Sequence, residues 1–243
     1  MAGTSLSSSR GGIRPPREAD AVHFPVSYDD IALTIPGNKG IYIPAEDSFL
    51  LLDLLKQFVQ SNATNIKTNF LPVLDMGAGS GIATMFLVKH FKNVHVIDIN
   101  PHATKYIRME AIRVGIECQL DIVASSLFNA LRAGFPRYFL ACFNPPYLPR
   151  EDYEDPSIQD EDDSKFYLDK TLYANDGGRQ VLESFLKAVR NHIDDDGHVF
   201  FIKSSLTGID DVDGWISKLG FRIVNSLKIH RFFEDIEAYH AIA

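Results

Sequence analysis

Short apolar runs alternate with helix-like segments along most of the chain, from Leu71 to the C-terminus. Regular alternation of strand and helix is typical of a parallel sheet with helices on both faces. The last two predicted strands have no helix between them, so they can pack antiparallel at one sheet edge. The predicted strands cover residues 71–76, 93–98, 118–124, 138–143, 198–203, 221–227 and 236–242. The pattern predicts an α/β fold with a mostly parallel seven-stranded sheet.

A long apolar run before the first of these strands predicts a further helix. Pro44 suits the first turn of a helix, Glu46 and Asp47 suit its positive end, and the apolar residues after them form a buried face. The other predicted helices cover residues 82–90, 103–114, 179–193 and 212–219. Residues 1–20 have almost nothing to bury, and residues 21–40 have only scattered apolar positions. We therefore predict a disordered or irregular lead-in over residues 1–40 and a single domain over residues 41–243.

Composition and charge narrow the classes of function. The chain has 243 residues, 45% of them hydrophobic, so it can bury a full core. A net charge of −8 argues against a broad basic face that grips nucleic acid. Cys118 and Cys142 fall inside predicted strands and are expected to be small buried hydrophobes, and no Cys/His spacing predicts a metal site. No apolar run predicts a membrane span or a signal peptide, so we expect a cytoplasmic protein, with a nuclear pool left open.

A glycine-rich turn follows the first strand and opens into a helix. This glycine turn, residues 75–81, reads Asp-Met-Gly-Ala-Gly-Ser-Gly. Gly77, Gly79 and Gly81 let the backbone pass close to a ligand, and Asp98 at the tip of the second strand is placed to accept hydrogen bonds from a ribose. Strand, turn, helix and acid together predict a nucleoside site rather than a simple tight turn.

The spacing of the glycines indicates which nucleoside is bound. A dinucleotide fingerprint places its glycines at positions one, three and six, whereas this turn places them at one, three and five. The carboxylate of Asp75 would repel a pyrophosphate and attract an ammonium group. We therefore expect the cofactor S-adenosylmethionine rather than a nicotinamide or flavin dinucleotide.

The fourth strand ends in Asn144-Pro145-Pro146-Tyr147, which we call the acceptor turn. Its prolines stop the strand and stiffen the turn, leaving the Asn144 amide at the carboxyl end of the sheet, where ligands bind in open α/β folds. The Asn144 side-chain oxygen and the Pro145 carbonyl offer two acceptors for a planar NH2 group, and Tyr147 offers an aromatic face against it. A glutamine amide and an adenine amino group both meet this description.

The glycine turn, Asp98 and the acceptor turn together resemble class I S-adenosylmethionine-dependent methyltransferases that act on amino groups. Residues 42–53 (Tyr-Ile-Pro-Ala-Glu-Asp-Ser-Phe-Leu-Leu-Leu-Asp) and 178–182 (Gly-Arg-Gln-Val-Leu) are similar to segments of the short HemK-like enzymes of eukaryotes and archaea. Those enzymes methylate the glutamine N5 of the Gly-Gly-Gln motif in class 1 peptide chain release factors. The resemblance covers the chain from about residue 41 onward and implies a Rossmann-like catalytic domain.

The resemblance also implies roles for individual residues and a partner. The expected catalytic residues are Asn144, Pro145, Pro146 and Tyr147. The expected cofactor-binding residues are Tyr42, Ser48, Asp75, Gly77, Gly79, Gly81, Asp98, Ser126, Leu127 and Asn144. A small zinc-binding activator protein is implied as a heterodimer partner that covers apolar surface beside the third strand of the sheet.

The chain departs from the family pattern at two places. Many relatives carry an acid after the third strand to meet the adenine amino group, whereas this chain has Ser125-Ser126-Leu127, where the Ser126 hydroxyl can still bond. The acidic loop over residues 151–163 is longer than in close relatives. It is interpreted as a solvated loop, with a lid over the substrate pocket or a calcium site as the alternatives.

Two other functions stay open. One is methylation of adenine N6 in RNA or DNA, since the same turn can hold an adenine amino group. An enzyme that acts on nucleic acid would need a basic groove or an added nucleic-acid-binding module, and the acidic composition does not indicate one. The other is a non-catalytic scaffold that binds S-adenosylmethionine, for which an intact acceptor turn would have no use.

Overall fold

The secondary structure follows the predicted alternation along the described part of the chain. The computed structural model describes residues 23–37, 39–68, 70–132, 136–148, 163–174, 176–231 and 234–243. The predicted lead-in up to residue 22 and residues 151–162 of the acidic loop lie outside this part. The elements in chain order are β1 (His23–Tyr28), β2 (Ile31–Pro36), α1 (Glu46–Ser61), α2 (Ala63–Thr68), β3 (Val73–Met76), α3 (Ile82–Leu87), β4 (Val94–Asp98), α4 (Pro101–Val114), β5 (Leu120–Ala124), β6 (Tyr138–Phe143), α5 (Asp163–Leu172), α6 (Arg179–Val189), β7 (Ile193–Ser204), α7 (Val212–Lys218), β8 (Arg222–Arg231) and β9 (Glu234–Ile242).

Strands β3 to β9 form one seven-stranded sheet in the order β5-β4-β3-β6-β7-β9-β8. Neighbours from β5 to β7 pair in parallel, while β9 pairs antiparallel with both β7 and β8. Strands β3 and β6 are buried at every position because α1 and α3 pack on one face of the sheet and α6 and α7 on the other. The predicted α/β fold with a mostly parallel seven-stranded sheet is confirmed.

A two-stranded antiparallel hairpin, β1 and β2, precedes α1 where the sequence predicted an irregular approach. Alternate residues of β2, namely Ile31, Leu33 and Ile35, are buried in the same hydrophobic cluster as α1 and α3. The apolar positions do recur with period two, but their burial depends on helices that the local sequence does not show. The hairpin therefore packs on the domain that we predicted to begin at residue 41, and that boundary stays a prediction.

Three local expectations differ from the structure. Helix α5 occupies part of the segment predicted as a long loop. Cys118 is exposed in a short 3-10 turn, because β5 begins only at Leu120, whereas Cys142 is buried in β6 as expected. Strand β7 begins at Ile193 rather than at residue 198, since Ile193 pairs with Tyr138 of β6 before a register shift that takes up residues 194–197.

The topology brings the two predicted motifs side by side. In the pairing of β3 with β6, Asp75 lies opposite Cys142 and Met76 opposite Phe143, so the glycine turn and the acceptor turn leave the sheet at the same edge. Strand β4 lies on the other side of β3 and brings Asp98 to that edge. None of the helices in the described ranges is both long and apolar enough to cross a membrane.

Candidate functional site

Two neighbouring cavities lie at the carboxyl edge of β3, β4 and β6. The smaller has a volume of about 80 Å³ and the larger about 320 Å³, and Gly77, Asn144 and Pro146 line both. Predicted site residues that line only the smaller cavity are Tyr42, Ser48, Asp75, Pro145 and Tyr147. Those that line only the larger cavity are Asp98, Ser126 and Leu127. Of the predicted residues, only Gly79 and Gly81 line neither, because they form the turn behind the cavity walls.

The glycine turn adopts a backbone conformation that other residues rarely adopt. Gly77, Gly79 and Gly81 have φ angles of +61°, +54° and +75°. A Cβ atom on Gly77 would lie 2.8 Å from the Phe143 ring, and one on Gly81 would lie 2.7 Å from Ile107. Both the dihedral angles and the available space therefore require glycine here, and the bare backbone of Gly77 faces both cavities.

Asp98 is buried at the end of β4 and holds the glycine turn in place. Its Oδ2 accepts a hydrogen bond from the Gly79 N–H at 2.7 Å, and its Oδ1 accepts one from the Asn100 N–H at 2.7 Å. Burial raises the pKa of the carboxyl group, and the two N–H donors oppose that shift. The predicted ribose acceptor therefore lies in the wall of the larger cavity and also ties β4 to the turn.

Asp75, the acid that precedes the glycines, faces the smaller cavity from the floor of the site. The Thr84 hydroxyl donates to its Oδ2 at 2.5 Å and the Cys142 thiol to its Oδ1 at 3.6 Å. Burial raises the pKa of Asp75 to about 6; the hydrogen bonds from Thr84 and Cys142 oppose this shift, and nearby Asp98 adds to it. A cation in the smaller cavity would favour the ionised form of the carboxyl group. The sequence analysis did not identify Thr84, whose α3 position facing Asp75 appears only in the structure.

A buried carboxylate that the sequence analysis did not assign to the site, Asp47, joins α1 to the acceptor turn. Asp47 is 2% exposed. Its Oδ2 accepts from Asn144 Nδ2 at 3.0 Å and from the Tyr147 hydroxyl at 2.9 Å. The Tyr42 hydroxyl lies 2.8 Å from each carboxylate oxygen, and the Ser48 backbone N–H donates to Oδ1 at 2.5 Å. The sequence signal for Asp47 was its position in residues 42–53, the segment similar to HemK-like enzymes. From the sequence, however, Asp47 was assigned only to the positive end of the helix.

The phenol groups beside Asp47 act as donors. Burial, followed by the charge of Asp47, raises the pKa of both Tyr42 and Tyr147 far above the usual range for tyrosine. Neither hydroxyl therefore ionises near neutral pH, and neither is suited to be a base. Tyr147 instead presents a nearly buried ring in the wall of the smaller cavity.

The side-chain oxygen of Asn144 is the unpaired polar atom of the site. Its Oδ1 is buried and accepts no hydrogen bond from any residue that the structure describes. Buried acceptors in folded proteins are nearly always paired, so an unpaired one on a residue that lines two cavities indicates a place for a ligand donor. The Asn144 amide can thus receive a hydrogen from an NH2 group at the junction of the cavities.

The end of α5 and the residues after β5 complete the walls. Lys170 of α5 lines the larger cavity and Leu172 the smaller, and the Leu148 N–H donates to the Leu172 carbonyl at 3.1 Å. This contact ties α5 to the end of the acceptor turn. Ser126 and Leu127 also line the larger cavity, and Leu127 has a φ angle of +46°. The predicted lid over the substrate pocket falls mostly outside the described residues, although α5 directly follows that segment.

Comparison with known proteins places the chain among methyltransferases. It is 30% identical over 202 residues to a Methanocaldococcus jannaschii protein provisionally named a protein N5-glutamine methyltransferase, covering 83% of this chain and 91% of that protein. It is 26% identical over 201 residues to the eRF1 methyltransferase catalytic subunit mtq2 of Schizosaccharomyces pombe, covering 78% of this chain and 84% of that one. No protein-family model matches the chain.

Solved structures agree on the fold. The E. cuniculi Mtq2–Trm112 complex, described as responsible for methylating the termination factor eRF1, matches with a TM-score of 0.53 and 22% identity over 84% of this chain and 98% of that one. A ribosomal protein L11 methylase from Lactobacillus delbrueckii matches with a TM-score of 0.54 and 17% identity over 82% of this chain and 80% of that one. At these identities, the two structures show that the fold is that of Rossmann-like methyltransferases.

Proposed function

The chain belongs to the protein N5-glutamine methyltransferase family, and on that premise we propose that it methylates the glutamine of the Gly-Gly-Gln motif in a class 1 peptide chain release factor. The methyl donor is S-adenosylmethionine. The observation that supports the acceptor assignment is the buried, unpaired Oδ1 of Asn144, a residue that lines both cavities. This oxygen is a hydrogen-bond acceptor without a partner among the described residues, and the NH2 group of a primary amide can donate a hydrogen bond to it.

The residues around the cavities fit the donor. The larger cavity, with Asp98 in its wall, receives the nucleoside, and the bare backbone of Gly77 allows close approach. The ionised carboxylate of Asp75 in the smaller cavity attracts the ammonium group of the amino-acid part. When bound, S-adenosylmethionine supplies an electrophilic methyl group on sulfonium. Within this proposal, Tyr42, Ser48, Gly79, Gly81, Ser126 and Leu127 support or contact the donor.

The acceptor turn positions the amide rather than activating it through a base. Asn144 Oδ1 and the Pro145 carbonyl take the two hydrogens of the glutamine NH2 group, and the Tyr147 ring packs against its plane. Pro146 stiffens the turn, and Gly178 lies so close that a Cβ there would strike the Pro146 carbonyl. Such positioning lowers the activation free energy by on the order of 7–11 kcal/mol at best. The amide nitrogen forms its bond to the methyl carbon as the carbon–sulfur bond breaks, and one N–H proton leaves to solvent.

We also propose a heterodimer with a small zinc-binding activator protein. Strand β5 is the edge strand of the sheet beside β4, so one side of it has no neighbouring strand among the described residues, although Arg108 donates to its Ile122 carbonyl at 3.0 Å. Next to it, Met109 and Ile112 of α4 are 60% and 61% exposed, and Val123 of β5 is 36% exposed. An apolar surface beside an open strand supports a protein partner at this edge. The structural neighbour Mtq2 also forms a complex with another protein, Trm112. Action on a release factor would place the protein in the cytoplasm.

One assay tests the proposal. The protein is incubated with labelled S-adenosylmethionine, with and without a zinc-binding activator of the Trm112 kind, and with either a release factor or an adenine-containing oligonucleotide. We expect label on the Gly-Gly-Gln glutamine, and a release factor with that glutamine changed to asparagine serves as the negative control. Label on the oligonucleotide and none on the release factor would establish the adenine alternative instead. Donor binding without label on either substrate would support a scaffold.

A further inference from the structure

Asp47 lies at the centre of the hydrogen bonds that support the acceptor turn. It is the second residue of α1, is 2% exposed and lines the smaller cavity. Donors from Tyr42, Ser48, Asn144 and Tyr147 all end on its carboxylate. Its sequence neighbour Glu46 is exposed and instead pairs with Arg231 at 2.9 Å. Two adjacent carboxylates on one helix turn thus have different surroundings.

The chemistry of this carboxylate decides which way the Asn144 amide points. A side-chain amide has a donor end and an acceptor end of nearly equal size, so packing alone does not distinguish its two orientations. The hydrogen bonds that the described residues make to the Asp47 carboxylate all come from donors, so it holds the Nδ2 end of Asn144 at 3.0 Å and would repel the Oδ1 end. Oδ1 is thereby left unpaired, on a residue that lines both cavities.

We propose, resting on the function proposed above, that Asp47 is the positioning residue that fixes the Asn144 amide with its oxygen toward the acceptor NH2 group. The opposite orientation presents two N–H donors to a group that itself donates, and the acceptor is not held. Asp47 also accepts from the Tyr147 hydroxyl through the same Oδ2. One carboxylate therefore positions both the Asn144 amide, which hydrogen-bonds the acceptor group, and the Tyr147 ring, which packs against it.

The Asp47→Asn variant tests this because the surroundings dictate how the new amide sits. The Ser48 backbone N–H cannot turn away from the Oδ1 site, so the new side-chain oxygen occupies that site. Its NH2 group then occupies the Oδ2 site and faces Asn144, which forces the Asn144 amide to reverse. We expect kcat for methyl transfer to fall about 100-fold, the scale of losing one preorganised hydrogen-bond partner of the reacting group. Donor affinity should fall less than kcat, because Asp75 remains in the smaller cavity for the ammonium group although the charge of Asp47 is lost.

The double variant Asp47→Asn/Asn144→Asp separates orientation from general damage. It keeps the same net charge and exchanges only the two groups. The carboxylate introduced at position 144 accepts from the amide introduced at position 47 and keeps its second oxygen toward the acceptor. We expect at least about tenfold recovery of kcat over Asp47→Asn alone, since a charged acceptor makes a hydrogen bond at least as strong as a neutral one. Glu46→Gln is the matched control and should keep wild-type kcat.

A readout independent of activity completes the test. The Nδ2 protons of Asn144, identified by their loss in Asn144→Asp, should include one slowly exchanging proton in the wild type and none in Asp47→Asn by NMR. An unchanged exchange rate in Asp47→Asn would overturn the proposal, as would a double variant no more active than the single one or a Glu46→Gln variant as impaired as Asp47→Asn. Should Asp47→Asn not fold, rapid exchange of both Asn144 Nδ2 protons in the wild type would overturn it equally. A wild type that methylates no glutamine would refute the proposed function instead, and the exchange measurement would still decide the role of Asp47.

Discussion

The glycine turn and the acceptor turn leave neighbouring parallel strands at the same sheet edge, yet they are built in opposite ways. The glycine turn removes side chains and uses left-handed backbone, so that a ligand comes close. The acceptor turn uses two prolines and a buried tyrosine, which restrict its backbone and keep the Asn144 side-chain amide in one position. Both are held by a buried carboxylate that accepts hydrogen bonds from the turn: Asp98 for the first and Asp47 for the second.

The two carboxylates differ in how far along the chain they lie from the turn they hold. Asp98 contacts Gly79, 19 residues away and at the end of the neighbouring strand. Asp47 contacts Asn144, 97 residues away, from a helix that packs on the sheet face. The glycine turn and Asp98 therefore belong to one strand–helix–strand unit, whereas the hydrogen bonds that hold the acceptor turn exist only after α1 has docked. The other proposed donor contacts, Tyr42, Ser48, Ser126 and Leu127, come from parts of the chain outside that unit. Changes on the two sides should accordingly have separable effects.

The largest expected effect comes from the backbone of the glycine turn. Gly81→Ala places a Cβ at φ +75° against Ile107, whereas Gly115→Ala places one at the same angle with nothing within 4 Å. The free energy of unfolding should fall by about 2–5 kcal/mol at Gly81 and about 1–2 kcal/mol at Gly115, because only Gly81 adds overpacking to the left-handed cost. Denaturant unfolding measures both, and equal losses would show that the contact with Ile107 is relieved by movement.

Removing the acceptor amide should affect the reaction more than donor binding. Asn144→Ala is expected to lower kcat by about 10²–10³-fold, since a positioned partner of the reacting group is lost. The dissociation constant of the donor should rise by no more than about tenfold, the scale of a single hydrogen bond. Single-turnover methylation and calorimetry measure the two quantities. A parallel loss of both would mean that Asn144 belongs to the donor side.

Asp98→Asn should have the reverse effect. The amide replaces one carboxylate oxygen with a donor that faces either the Gly79 or the Asn100 N–H. Donor affinity is expected to fall by about 10–100-fold, the cost of losing one charge-assisted hydrogen bond, while kcat at saturating donor stays near wild type. Calorimetric titration with S-adenosylmethionine measures the affinity, and an unchanged value would refute the assignment of Asp98 to the ribose.

The smallest expected effect is a pH dependence of donor binding. Burial raises the pKa of Asp75 to about 6, so its carboxylate becomes protonated as the pH falls through that value. A cationic donor binds the ionised form, so affinity should be about tenfold weaker at pH 5 than at pH 7. Asp75→Asn should bind weakly and without this pH dependence. The same pH dependence in Asp75→Asn would assign the titration to another group.

The stability of the fold sets the range in which that titration can be done. Burial lowers the pKa of His198 to about 4 and that of His240 to about 3, and their rings contact each other at 3.0 Å. Both values lie below the unfolded value of about 6.5, so the stability they contribute is complete above pH 6.5 and decreases as the pH falls toward 4. Thermal unfolding at each pH shows where the protein remains folded.

Most of the fold was predictable because its signals are local. All seven strands of the sheet were predicted, with ends that moved by a few residues. The signal is clearest for β3 and β6, because buried parallel strands are continuous apolar runs. The hairpin β1–β2 was not, because its apolar positions become a buried face only against α1 and α3. The candidate site divided in the same way: Gly77, Asp98 and Asn144 were predicted from their strand ends and line the cavities, whereas Asp47 and Thr84 were not assigned to the site.

The sequence by itself determined the strand–turn–helix unit of the donor side and the stiff turn of the acceptor side, because glycine and proline restrict the backbone wherever they occur. Only the tertiary structure decided which atoms those turns present. The docking of α1 places the carboxylate of Asp47 against Asn144, and that contact leaves Oδ1 unpaired at the cavities. An amide has two ends of nearly equal size, so its orientation is decided by a neighbour that can only accept, and that neighbour comes from a distant part of the chain.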